Sequence, residues 1–231
     1  MNFPAITCAL LLGIGQLAMS ASTCTAQTPP SNLEVAAYAG LHKAAHSGDL
    51  AVLRDLVKQG ADLEARDKAG RTPLHVAAFA SNDDAVRLLA EAGAKLDAFE
   101  NQAYDIVTIA AVANDVDLLG LALDLGASAA NITSPYDGTA LIAAAHLGHH
   151  AVVKRLIAGG APLDHVNNLG WTALIESVVL GDGGPDHVET ARLLLAAGAD
   201  ASIGDRSGIT PYQHAKSAGY AKMIETFERL K

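Results

Sequence analysis

His146, His149 and His150 form the densest cluster of metal-capable side chains in this 231-residue chain. Imidazoles on one helix share a metal when they stand three or four positions apart on one face. Here Gly148 intervenes, where the repeat spacing set out below requires a turn, so scaffold and surface roles are expected rather than a metal site. His42 and His75 lie outside this cluster, and a structural rather than catalytic use is expected of them. Asp182 and Asp186 lie in the segment Gly181–His187, but a calcium loop needs more carboxylates at tighter alternation. A phosphate cradle would need a preceding strand and a lysine. His187-Val188-Glu189 lacks the second histidine of a zinc-protease helix, and Asn131-Ile132-Thr133 is a glycosylation sequon that matters only in a eukaryotic secretory pathway. No Ser-His-Asp spacing, paired-carboxylate motif or nucleotide loop stands out, so no catalytic residue, metal or cofactor is expected and the chain reads as a non-enzyme.

The elements that carry these residues are set by a repeat. A Gly-Ala pair follows an apolar helical stretch at Gly60, Gly93, Gly126, Gly160 and Gly198, at intervals of 33, 33, 34 and 38 residues. A fixed period in this range marks stacked units that bury their faces against one another. Thr72 before Pro73 starts a helix, because a threonine oxygen caps free N–H groups and proline at the first helical position sacrifices no needed donor. Asp105 can replace threonine in the most divergent unit. The alanine pairs 44/45, 77/78, 110/111 and 144/145 keep one face small for close helix approach, and Val152, Val153, Leu156 and Ile157 form an apolar stripe on a second helix. Each glycine of a Gly-Ala pair ends its helix in the left-handed conformation. Ser31 and Glu34 are spaced as a capping box.

The segment Gly70-Arg71-Thr72-Pro73-Leu74-His75-Val76-Ala77-Ala78, followed by Val86-Arg87-Leu88-Leu89 and Ala92-Gly93-Ala94, resembles the ankyrin repeat. The likeness extends over about residues 35 to 231. It implies an all-α solenoid of helix-turn-helix units with β-turn finger loops. The units fall at 35–67, 68–100, 101–133, 134–167 and 168–205, with a C-terminal capping repeat at 206–231 and a linker with an N-terminal cap at 27–34. The fifth unit carries five extra residues within Gly181–His187, between its two helices; a plain exposed loop and a functional insertion both fit.

The first charged residue is Glu34, and Ala5–Leu17 is a short apolar run, below the ~20 residues that cross a bilayer. Small residues follow it, so residues 1–26 read as a signal peptide cut after Ala21 or Ala26, although no Lys or Arg precedes the run. An apolar N-terminal helix, a misplaced start and lipidation at Cys24 are the alternatives. Both cysteines, Cys8 and Cys24, precede residue 27, so a chain cut after Ala26 relies on neither thiols nor disulfides. With 16 Lys and Arg against 25 Asp and Glu, and a pI near 5.3, the chain lacks the basic footprint of a nucleic-acid binder.

In ankyrin arrays the first helix of each unit and the finger loops line a concave face. The resemblance places Phe79, Tyr104, Tyr136, His146, Trp171, Glu176 and Leu180 on that face. Aromatic rings dominate binding hot spots, and Trp171 is the only tryptophan. The competing expectation is that Tyr104, Tyr136 and Trp171 pack the finger loops against one another. Glu176 is expected to face water or a partner, since an unpaired carboxylate is costly to bury. The chain therefore reads as a monomeric protein-binding module exported to the bacterial periplasm, without a membrane span in its mature form. Exported bacterial ankyrin proteins resemble it, and some are linked to peroxide defence; an inhibitor of a secreted effector would use the same face. The alternative is a small-molecule or catalytic pocket formed by Tyr104, Tyr136, His146, Trp171 and Glu176.

Overall fold

Residues 27–230 are described here, in a computed structural model. The leader assigned to residues 1–26, with Cys8 and Cys24, lies outside the described residues.

Among the described residues there are thirteen helices and no strand. The first, α1 (Asn32–Ala37), is started by Ser31, whose hydroxyl accepts from the Glu34 N–H while Glu34 reaches back to the Ser31 backbone. It runs across the limit drawn at residue 34, because the capping box sets the helix start. Six helix pairs follow: α2 (Gly40–Ser47) with α3 (Leu50–Lys58), α4 (Pro73–Phe79) with α5 (Asp83–Glu91), α6 (Ile106–Ala113) with α7 (Val116–Asp124), α8 (Ala140–His146) with α9 (His150–Ala158), α10 (Ala173–Val179) with α11 (Pro185–Ala196), and α12 (Pro211–Ala218) with α13 (Ala221–Arg229). The first helices pack in one row, α2 through α4, α6, α8 and α10 to α12, and the second helices in a parallel row from α3 to α13. This is the stacked solenoid that the period demands.

Local chemistry explains each start and stop. Thr72, Thr139, Thr172 and Thr210 each accept an N–H from the third helical residue, and Asp105 does the same for Thr108. The four alanine pairs are buried between neighbouring first-row helices, where any longer side chain would push the row apart. Val152, Val153 and Leu156 are buried on α9, while Lys154 on the opposite side is exposed. The Gly126 backbone has φ +102° with open space around its absent Cβ, so conformation rather than crowding requires glycine there.

The loops between pairs are joined to one another by backbone bonds. Asn101 N–H donates to Ala69 C=O, Ser134 to Ala103 and Asn168 to Tyr136, at 3.0, 3.0 and 2.9 Å. The third loop contains one isolated bridge, between Thr133 and Gly138. In the fifth unit the insertion is only partly loop. Two residues lengthen the turn, and Pro185, Asp186 and His187 extend the start of α11, which has 12 residues where α9 has 9. No helix among the described residues is long and apolar enough to cross a membrane.

Candidate functional site

Chain register puts Phe79, Val112, His146 and Val179 at matching positions near the ends of the first-row helices, one from each of four successive units. Leu147 and Leu180 follow at the next position, half-buried. Tyr136 and Trp171 sit on the loops that lead into α8 and α10 and are also half-buried.

Three of the expected site residues, Glu176, Tyr104 and Phe79, are buried. Glu176 on α10 is only 3% exposed, which corrects the expectation that it faces water or a partner. Its Oε1 accepts from Asn167 Nδ2 at 2.9 Å, and its Oε2 lies 3.2 Å from His146 Nδ1, across the α8–α10 contact. That second approach has ion-pair distance without hydrogen-bond alignment, so Oε2 accepts no hydrogen bond. Burial became affordable because an amide nine positions earlier in the chain supplies the missing donor. Asp205 and His214 repeat the spacing in the last unit, with His214 Nε2 at 2.8 Å from Asp205 Oδ2. Tyr104 is buried, and its carbonyl faces His75 Nε2 at 3.2 Å.

Phe79 is buried beneath Arg71, whose guanidinium lies 5.8 Å from the ring centroid. Arg71 in turn bonds Glu34 and Asp67, each at 3.1 Å, and donates to the Thr28 carbonyl. The chain's own residues 28–34 therefore cover the region around Arg71 and Phe79. Tyr38 completes the network by donating to Asp67 at 2.7 Å. Burial and the adjacent Asp67 push the Tyr38 hydroxyl up to about 12. Burial also raises Asp67, but the Tyr38 and Arg71 donors outweigh it and hold the carboxyl below the usual range.

The histidines diverge instead of converging. His146 faces Glu176, His149 bonds the Ala111 carbonyl at 3.0 Å, and His150 lies 3.5 Å from Asp186. Burial lowers the His149 imidazole below its ordinary value. His42 and His75 tie neighbouring loops, through the carbonyls of Arg71 and Tyr104. Asn131 of the sequon spends its amide on Asp97 and Asp105, at 2.9 and 2.8 Å.

Open cavities lie elsewhere among the described residues. One of about 480 Å³ lies on the second row, between Arg87, Gly120, Asp124 and Arg155; another of about 300 Å³ lies at the turns around Asn114, Gly148, His149 and His150. Neither is lined by Tyr104, Tyr136, His146, Trp171 or Glu176.

The loops also carry a feature that sequence reasoning missed. Phe99, Ile132 and Val166 occupy the same position in three successive loops and are 39%, 54% and 45% exposed. Leu169 and Ile209 add further exposed apolar side chains on later loops. Large exposed apolar residues at one position of adjacent units are the kind of surface that protein contacts use. Their spacing of 33 and 34 residues was the available signal, hidden because each is isolated in a polar loop.

Comparison with known proteins places this geometry. The family model for ankyrin repeats matches residues 21–100, 41–128 and 107–205. The ankyrin repeat protein YahD of Escherichia coli K12 is 33% identical over 96 residues, which is 41% of this chain and 48% of YahD, so the chain spans about half the length of that relative. A crystal structure of an ankyrin repeat domain from Acinetobacter baumannii superposes with a TM-score of 0.77 at 39% identity, covering 82% of this chain and 96% of that one. A chain from a Bdellovibrio bacteriovorus predatory endopeptidase in complex with an immunity protein gives a TM-score of 0.69 at 26% identity, over 84% of this chain and 99% of that one.

Proposed function

Because this chain belongs to the ankyrin-repeat family, whose arrays are protein–protein interaction modules, we propose that it is a non-enzymatic binding protein that grips one protein partner as a monomer. The contact surface we assign runs over Tyr136, His146, Leu147, Trp171 and Leu180 and on to the exposed loop residues Phe99, Ile132 and Val166. The observation that carries this reading is the pairing of half-buried aromatic residues on two adjacent units with exposed apolar side chains at one position of the neighbouring loops. Rings that are already held rigid bury area on binding at little entropic cost. A standard interface hides roughly 800 Å² per partner, the scale of contact this surface would have to make. Tyr104, Glu176 and Phe79 serve this surface from beneath, by fixing the helices and loops that present it.

We further propose that the protein works outside the cytoplasm, in the periplasm if the host is a diderm bacterium, after removal of a leader ending at Ala21 or Ala26. The apolar run before the first charge supports this. Inhibition of a secreted enzyme is the role we favour over peroxide protection, since a similar fold occurs in a complex between an endopeptidase and an immunity protein. Parallel affinity capture from envelope and cytosolic fractions tests both parts. The expected result is a protein recovered from the envelope with the wild-type bait and lost with Trp171→Ala. Recovery from the cytosol alone, or equal recovery with both baits, would overturn the reading.

A further inference from the structure

The insertion that distinguishes the fifth unit closes on one imidazole. His187 Nδ1 lies 3.0 Å from Asp182 Oδ1, and His187 Nε2 lies 3.0 Å from the His146 carbonyl oxygen. An ionised carboxylate and a carbonyl can only accept, so both ring nitrogens must carry a proton to make both bonds. We propose that His187 is a proton-operated latch, whose charged form fastens the insertion to the end of α8 and whose neutral form releases it.

The site is built for the ring. A Cβ on Gly148 would stand 3.1 Å from the imidazole, so the ring fills space that this glycine leaves; one on Gly181 would stand 2.9 Å from the ring but would meet the Ser177 carbonyl first. Matching positions in other units perform the same tie without a proton switch. Asn82 donates to the Ala45 and His46 carbonyls, and His149 makes a single bond to Ala111. Tyr220 donates to Gly181 from the far side of the insertion. At His187 a carboxylate faces one nitrogen and a carbonyl the other, because the insertion brings Asp182 opposite it.

The other charged groups at this junction are His149 on the α8–α9 turn, His150 and Lys154 on α9, and Asp186 and Glu189 on α11. His149 is held toward neutrality by burial, which limits its repulsion of the latch. The Gly184 N–H and His187 keep the Asp182 carboxyl below its ordinary range, so it remains an acceptor as the imidazole titrates. The contribution is therefore present on the acid side of the imidazole transition and lost as pH rises through it. Because His146 also faces Glu176, the latch reaches the helix end that borders the binding surface.

Two measurements on the full chain test this. Nitrogen NMR of the His187 ring through a pH titration is expected to show both nitrogens protonated while the insertion is fastened and one protonated once it is released. Exchange protection of the Gly184 amide, which bonds Asp182, is expected to fall about fivefold over the same titration, the equivalent of one hydrogen bond lost. His187→Gln should abolish that fall. A singly protonated ring while the insertion is fastened, protection that is constant with pH in the wild type, or an unchanged fall in the variant would each overturn the proposal.

Discussion

Asn167 and Glu176 are joined by a 2.9 Å bond from the amide nitrogen to the carboxylate, while the amide oxygen of Asn167 accepts the N–H groups of Leu169 and Trp171 at 3.0 Å. One buried amide thus connects the loop that presents Trp171 to the helix beneath it. Replacing it by an apolar residue of similar size removes three bonds and leaves a buried carboxylate without a donor. Asn167→Leu should cost about 2–4 kcal/mol of stability, read as a lower urea midpoint. A change within about 0.5 kcal/mol would match an ordinary surface position and would deny the amide this role.

Ala103 occupies the loop position that is glycine at 70, 170 and 208, and it holds φ +60°. The left-handed conformation costs a residue with a Cβ roughly 1–2 kcal/mol, against about 0.4–1 kcal/mol that glycine gives back through the unfolded chain. Ala103→Gly should therefore stabilise the protein by about 0.5–1 kcal/mol in thermal unfolding. A loss of stability would show that no strain is stored there.

His75 is buried, accepts the Thr72 N–H at Nδ1 and bonds the Tyr104 carbonyl through Nε2, so it is the neutral form that fits. Burial lowers its imidazole to about 4 from the ordinary 6.5. The unfolded chain therefore takes up the proton first, and the stability from His75 is complete above 6.5 and is lost as pH falls toward about 4. Compared with His75→Gln, the wild type should lose about 2–3 kcal/mol of its relative stability between pH 7 and pH 4. Parallel urea midpoints for the two proteins would contradict the assignment.

The repeat, the caps and the helix ends were legible because each is a local rule. Thr72-Pro73, Asp105 and the Gly-Ala pairs need only their neighbours in the chain, and the structure agrees at each. Glu176 was misread because its partner lies nine residues away across a loop, and the burial of a charge depends on such a partner rather than on the residue itself. The cover over Phe79 joins residues 37 and 43 positions apart through Arg71, a distance at which no short motif speaks. The exposed apolar position shared by Phe99, Ile132 and Val166 was readable from the period, but only once the loops are known to stand side by side.

The central claim is that the first-row face and its loops, and not the second row, hold a protein partner. Calorimetric titration of the captured partner against wild type, Trp171→Ala and Arg87→Ala tests it most directly, Arg87 being exposed on α5 of the second row. The account predicts a loss of about 2 kcal/mol or more for Trp171→Ala and unchanged affinity for Arg87→Ala. Unchanged affinity for the tryptophan variant, with a comparable loss for the arginine variant, would contradict it.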